Sequence, residues 1–336
     1  MNNNLIFPKV TIVIITFNNR EIIGENLDSI KNLNYQNYEC FVVDDCSTDG
    51  TCEYVKEKYP WVKIIKKHIK SGIGTSKNIG LEQSESEYIL YLDSDVSLHE
   101  DYLYECVKLM EENKNIVICG GKLLFSQEPD KINEAGGYIY TTGMARDRGQ
   151  GENSQMYNNI EEVFYIGGAA QCFRRDLFDK IGNFDITTSY YGAEDIDICW
   201  RARLAGYKVF YNYLALGYHG YHQTIKKLKQ DKLMFSQTKA QIRMIIKNYG
   251  LTNLARYLPL AFLISMGDII LFKESRIAKI KAWGWNIANL KDTLKERKRI
   301  QSTRKIKDEE ILKYMNKNIG KLVFNRIRKI NKIKTK

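Results

Sequence analysis

Residues 9–16 read KVTIVIIT, a short apolar run rich in β-branched side chains, which predicts a buried strand of a parallel sheet. The segments that follow predict helices and strands in alternation: 20–33 (helix), 39–44 (strand), 51–59 (helix), 62–66 (strand), 74–85 (helix) and 88–92 (strand). This alternation is typical of a doubly wound, mostly parallel α/β sheet. The N-terminal part of the chain therefore predicts an α/β fold with a Rossmann-like sheet.

The pattern is looser after this alternating part. A helix at 100–113 and a strand at 116–119 precede the segment 127–159, which is polar and rich in glycine. That composition predicts a long loop or a small hairpin. A helix at 194–205 and a strand at 208–213 then complete the sheet-forming part.

Charge divides the chain into two regions. Residues 1–224 carry a net charge of −10, whereas residues 273–336 carry +15. A basic region of this kind suits an anionic partner, either a lipid surface or a nucleic acid. We therefore predict a sheet-forming domain over residues 1–224 and a helical, basic C-terminal region over residues 225–336.

The C-terminal region contains apolar side chains at three- or four-residue spacing among lysines and arginines, at 277–294 and again at 323–333. Basic amphipathic helices can lie in a membrane interface, and the same apolar faces could instead pack on the sheet-forming domain. The apolar run 257–272 has 16 residues and includes Asp268. A membrane span needs about 20 residues, so this run is predicted to be too short.

The cysteines and the N-terminus bear on the compartment. Seven cysteines are scattered without a C-x-x-C pair, which disfavours a zinc ribbon or a disulfide framework and favours a reducing compartment. The first eight residues lack the basic and apolar segments of a secretory signal. Both observations predict a cytoplasmic location.

Paired carboxylates follow two of the predicted strands. Asp44 and Asp45 come after the second strand, and Asp93 and Asp95 come after the fourth. Ligands of open α/β sheets bind outside the carboxyl ends of strands, and a divalent cation relieves the repulsion between neighbouring carboxylates. The alternative is that these aspartates cap turns and helices. Two such pairs at one sheet edge favour a metal and nucleoside-diphosphate site.

Two further segments could contribute to such a site. The turn SGIGTSKN at 71–78 is neither a Walker A loop nor a dinucleotide fingerprint, but Lys77 and the following helix N-terminus could attract a diphosphate. Glu194 and Asp195 open another predicted helix. They could cap that helix, or Asp195 could act as a general base.

Several motifs occur in a characteristic order. They are PKVTIVIITFN at 8–18, VVDDCSTDGT at 42–51, the glycine-rich 74–80, LDSD at 92–95, the pairs GG at 167–168 and RR at 174–175, IGNFD at 181–185, and EDID at 194–197 followed by Arg201 and Gly206-Tyr207. Together they resemble the inverting family 2 glycosyltransferases. The resemblance covers residues 8 to about 224, and the likeness to a rhamnosyltransferase-like branch extends loosely to the C-terminus. Cys46 departs from the family pattern, because glycine is commoner at this position of the turn.

This resemblance implies a GT-A fold and the transfer of a sugar from a nucleotide donor with inversion at the anomeric carbon. The donor-binding residues that it implies are Thr16, Phe17, Asn18, Asp44, Asp45, Lys77, Asn78 and Asp93. The implied D-x-D metal site is Asp93 and Asp95, with His219 or, as a rival, His222 as a further ligand. Asp195 matches the catalytic base of the family, and Glu194 supports it.

The resemblance also implies the partners. We expect Mg²⁺ or Mn²⁺ as cofactor, a UDP-, dTDP- or GDP-linked sugar as donor, and a hydroxyl of a glycan or lipid-linked molecule as acceptor. With the basic C-terminal region, it predicts peripheral association with the cytoplasmic face of a membrane and no nucleic-acid partner. The alternatives are a nucleic-acid-binding protein that uses the basic segment and a nucleotidyltransferase built on a similar sheet.

Overall fold

The structure, a computed structural model, describes residues 7–188, 193–220 and 230–320. Its strands are β1 (Val10–Thr16), β2 (Tyr38–Asp44), β3 (Lys63–Lys66), β4 (Tyr88–Asp93), β5 (Val96–Leu98), β6 (Ile116–Phe125), β7 (Glu128–Glu134), β8 (Gly137–Ile139), β9 (Ala145–Asp147), β10 (Glu161–Glu162), β11 (Ala170–Arg174) and β12 (Lys208–His219). Its helices are α1 (Ile23–Lys31), α2 (Thr51–Lys58), α3 (Ile73–Gln83), α4 (Tyr102–Glu112), α5 (Asp176–Ile181), α6 (Glu194–Leu204), α7 (Gln230–Asn248), α8 (Leu251–Leu271), α9 (Lys273–Ala288), α10 (Leu290–Ser302) and α11 (Asp308–Ile311).

The central sheet confirms the predicted α/β class. Its strand order is β10-β12-β6-β11-β4-β1-β2-β3, and β1 pairs in parallel with both β2 and β4. The register places Thr16 of β1 opposite Asp44, and Ile15 opposite Asp93. The two carboxylate-bearing strand ends therefore lie at the same edge of the sheet, on either side of β1.

The last strand is longer than the sequence pattern predicts. Strand β12 continues past residue 213 to His219 through an irregularity in its pairing with β6. Its final residues pair with β5 in antiparallel orientation, with His219 opposite Val96. Because β5 directly follows the turn after β4, this pairing returns His219 to the carboxylates at the end of β4.

The segment 127–159 is more ordered than a loop. Strand β7 pairs with β6, and β8 and β9 form a separate two-stranded hairpin. The hairpin alternative for this segment is therefore the correct one. Strands β7 and β9 add one wall to the cleft described below.

The core lies on both faces of the sheet, and the C-terminal helices contribute to one of these faces. Met244 and Ile245 of α7, and Tyr249 just after it, belong to the same buried apolar cluster as Val13 and Tyr91 of the sheet. Helix α7 is therefore packed as part of the fold.

The seven cysteines are free thiols, six of them buried, as the absence of paired spacing predicts.

Helix α8 corrects the prediction for the apolar run 257–272. The helix starts at Leu251 and has 21 residues, so the length objection to a membrane span was wrong. Within the described part of the chain it is the one helix long and apolar enough to cross a membrane, and 28% of its apolar window is buried. Its Asp268 is buried in an ion pair with Lys279 of α9.

Candidate active site

Three side chains that could hold a metal ion meet where β4 ends. Asp93 is the last residue of β4, Asp95 follows in the turn, and β12 brings His219 opposite them. One ligand atom from each lies within 4.8 Å of the others, and His219 Nε2 lies 3.4 Å from Asp95 Oδ1. Two carboxylates and an imidazole fit a divalent cation such as Mn²⁺ or Mg²⁺.

This cluster brings two acidic side chains and one basic side chain close together. Burial, and then repulsion from Asp95, raise the pKa of Asp93 to about 6. Burial alone would lower the pKa of His219, but its hydrogen bond and attraction to Asp95 outweigh burial and raise it. A bound cation would relieve the repulsion between the carboxylates, so their arrangement favours cation binding.

Two acidic residues, Glu194 and Asp195, lie at the start of α6. The backbone amides of Gly168 and Ile196 donate to the two carboxylate oxygens of Asp195, at 2.9 and 2.8 Å. Ala193, just before the helix, has a left-handed φ of 96°, an uncommon conformation for a residue with a Cβ. This turn places Asp195 at the N-terminus of the helix with both of its oxygens fixed.

Lys77 of α3 is the buried cation beside Asp195. Its side chain is fully buried, and its Nζ donates to Glu194 Oε1 at 3.3 Å. A Cβ at Gly168 would lie 3.2 Å from this Nζ and 3.5 Å from Asp195 Oδ2. Glycine at position 168 therefore lets the lysine and the carboxylate approach the same point.

These groups line one cleft of about 200 Å³. Among the described residues, the ionisable side chains that line this cleft are Lys77, Asp93, Glu134, Asp147, Glu194, Asp195 and His219. Burial, and then the charge of Asp147, raise the pKa of Glu134 to about 8, while burial and then Glu194 raise that of Asp195 to about 7. These described side chains include more carboxylates than basic groups. Asp195, with a pKa of about 7, is partly ionised at neutral pH and suited to accept a proton.

The other predicted carboxylate pair has a lysine as its counterion. Lys67 Nζ donates to Asp45 Oδ1 at 2.6 Å, and the amides of Ser71 and Gly72 donate to the same carboxylate. Asp44 accepts the amide of Ser47 within its own turn. The buried Lys67 therefore supplies the positive charge beside this pair. A role of Asp44 and Asp45 in holding the donor base stays a prediction.

The remaining predicted donor residues lie around the same sheet edge. Thr16 is buried, and Lys70 Nζ covers the ring of Phe17 at 3.0 Å. Asn18 has a φ of 54°, and its Oδ1 accepts the amide of Thr48. The amide of Asn78 bonds to both backbone groups of Phe184, at 3.0 Å each, which joins α3 to the turn before residue 186. Their contribution to donor binding stays a prediction.

Cys46 explains why the family favours glycine in this turn. Its φ is 69°, in the left-handed region where glycine has no steric cost. The turn keeps its conformation with cysteine, and the Cys46 thiol contacts the carbonyl of Lys67.

Sequence reasoning missed part of the cleft wall. Asn133 and Glu134 at the end of β7 and Asp147 at the end of β9 all line it. Asn133 Oδ1 lies 2.9 Å from His219 Nδ1, so it orients the imidazole. These residues stand in a polar segment without periodicity, so no local signal distinguishes them. His222, the rival metal ligand, lies outside the described residues.

Comparisons with known proteins agree with this geometry. The profile of Glycosyl transferase family 2 matches residues 11–182. The poly-beta-1,6-N-acetyl-D-glucosamine synthase of Staphylococcus epidermidis is 23% identical over 230 residues, which cover 68% of this chain and 54% of that protein. The chain thus spans about half the length of this curated relative.

Two solved structures share the fold. GalNAc-T7, crystallised with UDP, GalNAc and Mn²⁺, has a TM-score of 0.64 and 14% identity, covering 92% of this chain and 57% of that one. The mannosyltransferase PcManGT from Pyrobaculum calidifontis, in complex with GDP-Man and Mn²⁺, has a TM-score of 0.53 and 16% identity, covering 88% and 86%. At these identities the likeness establishes the GT-A fold.

Proposed function

From the premise that the chain belongs to Glycosyl transferase family 2, we propose that it is a metal-assisted, inverting glycosyltransferase. It would transfer a sugar from a nucleotide-sugar donor to a hydroxyl of a glycan or lipid-linked acceptor. One observation carries the proposal: Asp93, His219, Lys77 and Asp195, which come from distant parts of the chain, line a single cleft.

The donor's diphosphate would lie at the end of β4. Asp93, Asp95 and His219 would hold Mg²⁺ or Mn²⁺, which supplies Lewis-acid neutralisation of the leaving nucleoside diphosphate when it is bound. Lys77 adds a fixed positive charge to the same cleft, in a buried environment where charges interact strongly.

The acceptor proton would go to Asp195. Two backbone amides fix its carboxylate, so an oxygen can point at an incoming hydroxyl without further reorganisation. A pKa of about 7 leaves a large ionised fraction at neutral pH while keeping the group basic enough to accept a proton. The deprotonated hydroxyl attacks the anomeric carbon as the diphosphate leaves from the opposite face, which inverts that centre in one displacement.

The test of this function is a donor screen. Purified protein is heated with UDP-, dTDP- and GDP-sugars, each with and without Mn²⁺, and its unfolding temperature is measured. We expect one nucleotide class to raise that temperature, and only with the metal present. No shift with any nucleotide would contradict the proposal, and Asp95→Asn should lose the metal-dependent part of the shift.

The acceptor belongs to polysaccharide or lipid-linked glycan synthesis in this proposal. The poly-beta-1,6-N-acetyl-D-glucosamine synthase supports it, since a relative that builds a polysaccharide extends a glycan. The likeness to a rhamnosyltransferase-like branch rests on sequence motifs alone and leaves the donor sugar to the screen.

A membrane surface would hold the protein near such an acceptor. Leu263 and Ile270 of α8 and Ile277 and Ile287 of α9 are each exposed by more than three fifths, on two helices that contact each other. Residues 273–336 carry a net charge of +15, which complements anionic lipid. Peripheral binding to the cytoplasmic face through this apolar, basic surface accounts for the exposure.

Vesicle flotation tests the membrane role with full-length protein. Removing α9 and α10 is a poor test, because Asp292 of α10 pairs with the buried Arg243 and its loss would disturb the fold. The double variant Leu263→Asp and Ile270→Asp changes only exposed side chains. We expect it to lose flotation with anionic vesicles and to keep its unfolding temperature. Equal flotation of variant and wild type would contradict the membrane role.

A further inference from the structure

A second cavity opens on the other side of Asp195. It has a volume of about 390 Å³ and shares Asp147, Ala193 and Asp195 with the cleft that contains Asp93 and His219. Neither of those two candidate metal ligands lines the second cavity among the described residues. Asp195 thus stands on the boundary between a cavity lined by metal-ligating groups and one without them.

This arrangement is what a transfer between two substrates requires. A general base must reach the acceptor hydroxyl while the donor occupies the neighbouring space. We propose that the second cavity and its continuation form a groove for an acceptor glycan of two or more sugars. This inference rests on the proposed function and deepens it by naming the acceptor class and its path.

The second cavity continues into a third, of about 190 Å³, between the turn 143–146 and helix α7. The two share five described residues, which are Ala145, Arg146, Ala193, Ile196 and Gln237. The five shared residues make the two cavities adjacent, and the proposed groove runs as one path from Asp195 through both of them to the buried Lys279 of α9. A single reacting sugar would leave the distant part of this path empty.

The lining of the path suits sugar rings. Met144, Met234 and Met244 offer flexible apolar surface to the C–H faces of a ring. Gln237 and Gln241 offer amide groups to its hydroxyls. Apolar surface with a few placed polar groups is the usual composition of a small-molecule site, and a sugar ring offers both kinds of partner.

Two polar groups in the path have hydrogen-bonding capacity to spare. Gln241 Nε2 donates to the carbonyl of Thr142 at 2.6 Å, which orients its Oε1 as an acceptor. Arg146 donates from Nη1 to the carbonyl of Ala145, and its guanidinium has four further N–H groups. Gln237 lies between them, exposed at the mouth shared by both cavities.

The experiment compares acceptors of different length. With the donor that the thermal screen selects, transfer is measured to free monosaccharides and to the tri- and tetrasaccharides of the same sugars. We expect kcat/KM for the best oligosaccharide to exceed that of its monosaccharide by about tenfold or more, the gain from one further buried sugar contact. Equal values for both lengths, or transfer to none of the oligosaccharides, would overturn the groove.

Variants locate the effect. Ala145→Trp should fill the path and abolish the advantage of the longer acceptor, while slow hydrolysis of the donor by water continues. Gln237→Ala changes an exposed side chain and should raise KM for oligosaccharides without changing KM for monosaccharides. Gln155→Ala, at an exposed position away from the path, is the matched control. Wild-type acceptor preference in Ala145→Trp and Gln237→Ala would contradict the inference.

The two proposals fail differently. If the protein is not a glycosyltransferase, the wild type neither binds a nucleotide sugar nor hydrolyses one. If only the groove is wrong, the wild type binds and hydrolyses the donor, and the groove variants transfer sugar as the wild type does.

Discussion

Two aspartates of α6, only two positions apart, have pKa values that are shifted in opposite directions. Asp195 faces the cleft, where amides fix it, and burial followed by the charge of Glu194 raises its pKa to about 7. Asp197 faces α7, and its carboxylate lies 2.9 Å from Arg201 of its own helix and 3.1 Å from Lys247 of α7. Burial alone would raise the pKa of Asp197, but these two cations outweigh burial and lower it.

The contrast extends to the groups around each aspartate. On the α7 side, Asp185 accepts from Arg243 at 2.8 Å and from Lys247 at 2.5 Å, so every buried carboxylate of this junction has a cation. In the cleft, counted over the part of the chain that the structure describes, the carboxylates outnumber the basic side chains. A buried acid whose charge is matched supports the fold, whereas unmatched buried acids are arranged to receive a positively charged ligand.

Helix α7 stabilises the part of the fold that carries Asp195. Its Arg243 and Lys247 supply cations to the turn at Asp185 and to the helix that carries Asp195. The C-terminal region therefore stabilises the orientation of the proposed base, whatever its outer helices bind.

The largest expected effect is on activity, from Asp195→Asn. An amide of the same shape takes up no proton, so transfer should fall by about 10²–10⁴-fold. It keeps only one of the two oxygens that accept backbone amides, and this loss opposes the relief from carboxylate repulsion, so the unfolding temperature should change by only a few degrees. Sugar transfer and thermal unfolding measure the two, and wild-type transfer by the variant would exclude Asp195 as the base.

The matched change Asp197→Asn should lower the stability of the protein and have little effect on donor binding. It leaves Arg201 and Lys247 buried with one carboxylate fewer, so stability should fall by about 3 kcal/mol. Donor affinity, measured below the lowered unfolding temperature, should change little. Denaturant unfolding gives the free energy, and an unaltered midpoint would mean that the junction does not hold the fold as described.

The third prediction concerns pH. A base with a pKa of about 7 must be ionised to act, so kcat/KM should fall about tenfold for each unit of pH below that value. Donor binding measured at each pH separates this loss from weaker metal binding. A rate that stays level down to pH 5 would require another group to be the base.

The sequence predicted the sheet well and the cleft only in part. Runs such as residues 9–16 are short, apolar and β-branched, and their alternation with helices determines the fold class. Asp93 and Asp95 follow a predicted strand, and Asp195 lies at the start of a predicted helix. The sequence could therefore place them at one edge of the sheet. Glu134 and Asp147 could not be placed there, because their strands β7 (EPDKINE) and β9 (ARD) are short or polar and show no alternation of apolar and polar residues. The partners of Asp45 and Asp197 were equally hidden, since Lys67 and Lys247 read as ordinary lysines.

The smallest predicted effect is the pH dependence of stabilisation by Mn²⁺. Burial raises the pKa values of Asp93, Asp195 and Glu134, so without a cation these groups oppose folding increasingly as pH rises from their ordinary values towards the raised ones. Asp197 has a lowered pKa, so its contribution is present above the ordinary value and is lost only in stronger acid. Between pH 5.5 and 8 the change in stability therefore reports on the cleft and not on the junction.

Mn²⁺ should accordingly raise the unfolding temperature by a few degrees at pH 8 and by less at pH 5.5, where protons compete for the same carboxylates. Asp95→Asn should remove most of this difference, because it deletes one of the three converging ligand groups. Asp292→Asn, at a half-exposed position of the junction far from those ligands, should keep it. An equal effect of Mn²⁺ at both pH values would mean that the unmatched carboxylates of the cleft are not what binds the cation.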